Sequence, residues 1–184
     1  MTEIAAHRLV VPDGKVARLP VAVLVERRKI DNPWVDHSYA AVDVLPGVPA
    51  AAPWTEVAAG PGWTRYHAGT ANIELFANET DNYKHNIESP APSVWVVLRA
   101  DDGPHGRQVH LATVNAGEIE AHVVGEVDTI AAVPMPGAVL DWVADFVARH
   151  HVERAFKKRK RDAADPESLA ARRPDGGRRR HGDG

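Results

Sequence analysis

Ten histidines, 25 acidic residues and no cysteine are the raw material from which this chain could build a reactive site. The missing cysteine removes disulfides, thiolate metal sites, iron–sulfur ligation and sulfur nucleophiles. His150 and His151 are adjacent in sequence, but neighbours on a helix point about 100° apart and do not easily chelate one ion. His110 and His122 converge only if tertiary structure brings them together. The acidic residues Glu74, Glu79 and Asp81 could flank an acid–base cleft beside Arg65 and His67. Glu74 and Arg65 could equally form a simple cross-strand pair. The phosphate loop, dinucleotide-binding glycines, nucleophile elbow and helical zinc-protease motif are all missing. No catalytic residue, metal site or cofactor is therefore assigned.

Binding residues are easier to find than catalytic ones. Trp34, Tyr39, Trp54 and Trp63 fall within one stretch of thirty residues. Their flat faces could stack a planar ligand, or could anchor long loops to a β core. A second candidate is the basic run Lys157, Lys158, Arg159, Lys160 and Arg161. It belongs to a split charge distribution. Residues 1–148 carry 10 Lys/Arg against 19 Asp/Glu, whereas residues 149–184 carry 12 against 6. An acidic body repels the phosphate backbone that a basic tail attracts, which argues against nucleic acid. The partner-binding candidates are Trp34, Tyr39 and Trp54 together with Lys157 to Arg161.

These residues need elements to hold them. Abundant Val, with little Leu, Ile or Phe, suits a pleated sheet. Pro20 to Glu26 reads as a central strand, followed by strands near Ser38 to Leu45, Trp63 to His67, Asn72 to Phe76, Ser93 to Arg99, Gln108 to Val114 and Thr129 to Val133. Ala68-Gly69-Thr70-Ala71 and Asp101 to Gly106 read as hairpin turns, and connections this short force antiparallel pairing. Asn78 to Glu88 reads as a short helical turn at best. Asn115 is placed to cap a short helix, with Glu118 completing an approximate capping box. After Pro136, Val139, Val143, Phe146 and Val147 form a helical stripe, widened by Leu140 and Trp142, and the pattern continues to Arg161. The expected fold is α+β: a mainly antiparallel sheet or partly open barrel covered by a long C-terminal helix. Residues 1–19 are expected to be a flexible segment, 20–161 one domain ending in a basic helix, and 162–184 a disordered tail. No membrane-length apolar run and no secretory signal are present, so the expected location is the cytoplasm.

Some of these stretches also resemble a known family. Val21-Ala22-Val23-Leu24-Val25-Glu26-Arg27-Arg28, Asn32-Pro33-Trp34 and Val44-Leu45-Pro46-Gly47 are similar to an uncharacterised proteobacterial family. Later landmarks are Glu74-Leu75, Glu79-Thr80, Tyr83, Asn86-Ile87-Glu88-Ser89, Val94 to Arg99, Val133-Pro134-Met135-Pro136, Phe146-Val147, His150-His151 and Phe156 to Arg161. Tyr39 departs from the family pattern, in which Trp is more usual there. Members are usually encoded beside formate dehydrogenase subunits, and many carry a label for molybdopterin-guanine dinucleotide biosynthesis. This chain lacks the Leu-Ala-Gly-Gly start and the Arg-Met-Gly stretch of the guanylyltransferases. The resemblance implies a non-catalytic accessory protein for maturation or assembly of a molybdenum-dependent formate dehydrogenase, with its subunits or maturation factors as partners. An enzyme of molybdenum cofactor metabolism and a regulatory or nucleic-acid-binding module are the alternatives.

Overall fold

A computed structural model describes residue 9 and residues 13–49, 51–123 and 128–152. The chain order is β1 (Val16–Lys29), β2 (His37–Pro46), β3 (Thr55–Gly60), β4 (Trp63–Phe76), α1 (Thr80–Ile87), β5 (Ser93–Ala100), β6 (Arg107–Thr113), α2 (Ala116–Val123), β7 (Thr129–Pro134) and α3 (Gly137–His150). The fold is α+β, with two open antiparallel sheets ordered β2-β1-β4-β3 and β6-β5-β7. β6 runs beside β4, and β7 beside β2.

The strand β1 organises the first sheet. Ala17, Leu19, Val21, Val23 and Val25 alternate onto one face and are buried in the common core. The core thus reaches into residues 16–19, four positions before the expected start of the domain, and these residues are strand rather than flexible segment. At Pro20 the strand has a partner only in β4, because pairing with β2 begins at Val21. A proline without an N–H is tolerated at such a one-sided position. Val94, Val96 and Leu98 of β5, and Val133 of β7, join the core from the second sheet.

One sequence expectation fails here. Trp63 to Phe76 is a single strand, not two strands about a hairpin. Gly69 sits within it at φ +152°, opposite Val23, where the register with β1 shifts. An ideal Cβ on Gly69 would lie 3.6 Å from the Val109 side chain of β6. The glycine thus supplies a backbone irregularity and a close approach rather than a reversal. The expected pair Glu74–Arg65 cannot form, since both residues belong to this one strand. Glu74 instead pairs with Arg18 (2.6 Å), and Arg65 with Glu26 (2.9 Å).

The helix α3 follows its stripe closely. Val139, Trp142, Val143, Phe146 and Val147 are buried, Asp141 is exposed and Asp145 half-buried. Pro136 precedes the first turn, and its carbonyl accepts from the N–H groups of Val139 and Leu140. The helix ends at His150, because His151 is extended (φ −73°, ψ 127°). Its ring is held 3.2 Å from the Thr80 hydroxyl and 3.4 Å from Asp81, at the start of α1. A helix running unbroken to Arg161 is therefore ruled out at this residue. Lys157 to Arg161 lie outside the described residues. Among the described residues, no helix is long and apolar enough to cross a membrane.

Candidate functional site

The inner face of β1 does not end with the core. Period-two alternation carries it from Val25 to Arg27 and Lys29. The neighbouring strands extend the same face: Val25 opposes Ala41 and Tyr66, Arg27 opposes Tyr39 and Thr64, and Lys29 opposes His37. The core thus passes into an aromatic layer and then into a cationic end.

The aromatic layer joins two loops. Trp54 stacks on His105 of the β5–β6 turn, with ring centroids 4.3 Å apart and planes 12° from parallel. Tyr39 and Tyr66 each meet Trp54 edge-on at 5.8 Å. Trp54 has φ +63°, the sole positive value at a non-glycine among the described residues. That strain persists because the ring contacts fix the residue. Burial first, then the Arg27 charge, hold His105 below the ordinary imidazole value. These rings occupy each other's faces, so Tyr39 and Trp54 act here as loop anchors.

Beyond the rings lies a cleft of about 200 Å³, lined by Arg27, Lys29, His37, Gly62, Trp63 and Thr64. The Arg27 guanidinium stands 5.6 Å over the Tyr66 ring. Arg27 and Lys29 form no ion pair among the described residues. On the opposite face of the same strand end, Glu26 lies between Arg65 (2.9 Å) and Arg28 (2.6 Å). The Arg65 hydrogen bond is the main reason the Glu26 carboxyl lies below its ordinary value.

The β1–β2 loop projects from this end. Asn32 Oδ1 accepts from the Trp34 N–H (2.9 Å), closing an Asx turn around Pro33. The turn presents a Trp34 side chain that is 90% exposed, with Val35 53% exposed beside it.

Two other clusters carry polar chemistry. In the first, Asn86 donates to the carbonyls of Ser93 and Val114 (both 2.8 Å) and accepts from the Ser93 N–H (3.0 Å). Asn115 donates to Glu79 (2.7 Å) and accepts from the Gly117 N–H (2.9 Å), the expected cap of α2. Glu118 does not complete the box; the Asn115 N–H goes to the Thr113 hydroxyl instead (3.0 Å). Tyr83 accepts from the Phe76 N–H (3.0 Å), and burial pushes its phenol above the ordinary value. A cleft of about 300 Å³ beside them is lined by Asn82, His85, Asn86, Trp95 and Asn115. The amides of Asn86 and Asn115 are already used in fastening α1 and α2 to the sheets. Asp81, in α1, contacts His151, so the acidic set does not assemble around Arg65 and His67.

In the second cluster, tertiary structure does bring His110 and His122 together, with ring centroids 5.4 Å apart. Asp128 receives a two-pronged contact from Arg99 (3.2 and 3.1 Å) and a hydrogen bond from His122 Nδ1 (2.9 Å). These two partners, Arg99 foremost, hold the Asp128 carboxyl at about 2. The folded value lies below the unfolded one. Its stabilising contribution is therefore complete above the ordinary carboxylate range, near pH 4, and lost as the pH falls toward about 2. Asp128→Asn will lower the urea midpoint at pH 5 relative to the unsubstituted protein, and the two midpoints will converge near pH 2. Parallel midpoints across pH 2–5 would show that the triad does not stabilise the fold.

A family model described as protein of unknown function (DUF3305) matches residues 20–160. The chain belongs to the DUF3305 family. No curated protein and no solved structure matches it. In this DUF3305 chain, the landmarks Glu79, Tyr83 and Asn86 hold the first helix, and His151 ties α3 to α1. Arg27 and Trp34 instead face the cleft and the solvent. The strand end expected at Glu26 leaves Arg27 and Lys29 off the inner row, whereas β1 runs to Lys29. Extending the alternation by three residues would have placed Arg27 and Lys29 on the inner row.

Proposed function

We propose that this DUF3305 protein is a non-catalytic accessory factor for maturation or assembly of a molybdenum-dependent formate dehydrogenase in the cytoplasm. It docks on a formate dehydrogenase subunit, or on one of its maturation factors, through the Trp34 loop. The resemblance set out above, with its gene neighbourhood, supports the enzyme system. The observation that carries the docking role is the exposure of Trp34 on a hydrogen-bonded Asx turn. Trp is among the side chains most enriched at the energetic centres of protein interfaces.

Deleting the gene will lower formate dehydrogenase activity and spare other molybdoenzymes. Complementation with Trp34→Ala will fail to restore that activity, and co-purification of formate dehydrogenase subunits will fall about 30-fold, the scale of a ~2 kcal/mol interface centre. Stability will change by less than about 0.5 kcal/mol, as for other exposed positions. An equal loss across all guanine-dinucleotide molybdoenzymes would favour an enzyme of molybdenum cofactor metabolism. Asp128, His122 and His110 would then be the residues to examine, since a carboxylate-oriented imidazole suits proton transfer. An unchanged strain would sink both readings.

A further inference from the structure

We infer that the cleft at the end of the inner face is a binding site for a phosphate group. This goes beyond the docking role of Trp34 and does not depend on it.

The argument starts from a contrast within four consecutive residues, Glu26-Arg27-Arg28-Lys29. Strand alternation sends Glu26 and Arg28 to the outer face, where Arg65 joins them and the charges are paired. Arg27 and Lys29 go to the inner face and, among the described residues, receive no carboxylate. Beyond the outward-facing Glu26, Asp31, Asp36 and Glu56 are the next acids in sequence or register, and none makes an ion pair with them. Like charges two residues apart on one strand face repel, and a bound anion would relieve this. The donors also arrive from several directions. Arg27 and Lys29 come from β1, the His37 imidazole from β2, and the Thr64 hydroxyl from β4. A tetrahedral oxyanion takes donors from several sides, whereas a planar carboxylate is best met by one guanidinium fork.

Size narrows the ligand further. About 200 Å³ is smaller than the roughly 300–1,000 Å³ of clefts that enclose a whole ligand. It suits inorganic phosphate, or the phosphate end of a larger molecule whose remainder lies outside. The β3–β4 turn keeps the space open. Gly62 has φ +77°, which an L side chain rarely adopts, and nothing lies within 4 Å of a Cβ built there. A side chain is thus disfavoured at this glycine of the wall.

The test is amide NMR of the full-length ¹⁵N-labelled chain. Inorganic phosphate, ribose 5-phosphate and acetate are each titrated at constant ionic strength set with sodium chloride. The phosphates will shift the Lys29, His37, Gly62 and Thr64 amides saturably, and acetate will not. Tighter binding of ribose 5-phosphate would mark the site as one for a phosphate-bearing molecule, and equal binding as one for the free ion. The double substitution Arg27→Ala/Lys29→Ala will weaken binding about a hundredfold, roughly tenfold for each charge-assisted contact. Arg28→Ala, adjacent but on the outer face, will leave it unchanged, as will Trp34→Ala. Lys29→Gln, which keeps the side-chain length, will weaken binding about tenfold and serves should the double variant lose its native spectrum. Shifts that follow ionic strength alone, that acetate reproduces, or that survive the loss of Arg27 and Lys29 would overturn the proposal.

Discussion

Phe146→Ala will lower the unfolding free energy by roughly 3–5 kcal/mol, the usual scale for truncating a fully buried aromatic side chain. Phe146 is 0% exposed. Its ring lies 6.4 Å from Tyr83 of α1 and 4.5 Å from His150 on its own helix. Tyr83 is itself pinned through its hydroxyl to the backbone of Phe76 and cannot easily move to fill the space. The substitution therefore leaves a cavity as well as losing apolar burial. Since a domain of this size is commonly stable by only about 5–15 kcal/mol, one side chain accounts for a large share. Urea unfolding will report the loss as a lower midpoint with an unchanged slope. Asp141→Ala, on the exposed side of the same helix, will stay within about 0.5 kcal/mol. A loss below about 1 kcal/mol for Phe146→Ala would mean that α3 does not dock.

That helix was legible because its buried positions repeat every three to four residues for three turns. The same holds for Val21, Val23 and Val25, and for Ser93 to Arg99, where buried faces leave an apolar record in the sequence. Failures occur where burial leaves no such record. Thr55–Gly60 is an exposed edge strand, so nothing in its residues distinguishes it from the proline-rich loop before it. Gly69 between two alternating runs reads the same whether the chain turns or continues. Pairing of β1 with the whole length of β4 decides it, and that is a long-range fact.

The candidate site divides along the same line. Trp34 and Trp54 are the same residue type in the same aromatic-rich stretch. One stands in solvent on an Asx turn, and the other is caged by three rings. Asn32 and Pro33 form the turn under the first, whereas the cage of the second needs His105, which lies on another loop. His110 and His122 are separated by twelve positions with a helix boundary between them. Their approach was conditional on tertiary structure. Arg27 and Arg28 show the opposite situation: period-two alternation separates their roles once the strand is followed to Lys29.

Asn86→Ala will cost as much as a core truncation although it removes no apolar surface, roughly 3–5 kcal/mol. The amide closes three hydrogen bonds with backbone groups, two with Ser93 and one with Val114. Removing it leaves the buried Val114 carbonyl and the half-buried Ser93 N–H and carbonyl without that partner, each costing about 1–3 kcal/mol when water cannot replace it. The cleft beside Asn86 gives water some access, which places the expected total below the sum of three full penalties. Asn86→Asp tests the same geometry by charge. It keeps the acceptor for the Ser93 N–H but turns a carboxylate oxygen toward two carbonyls, so it will destabilise at least as much as Ala at neutral pH. Asn82→Ala, on the exposed rim of the same cleft, will change stability by less than about 0.5 kcal/mol. Paired urea midpoints for the three variants decide the role of this landmark. If Asn86→Ala proves as mild as Asn82→Ala, Asn86 is not fastening α1 to the sheet, and the 300 Å³ cleft it lines becomes the place to look for a ligand.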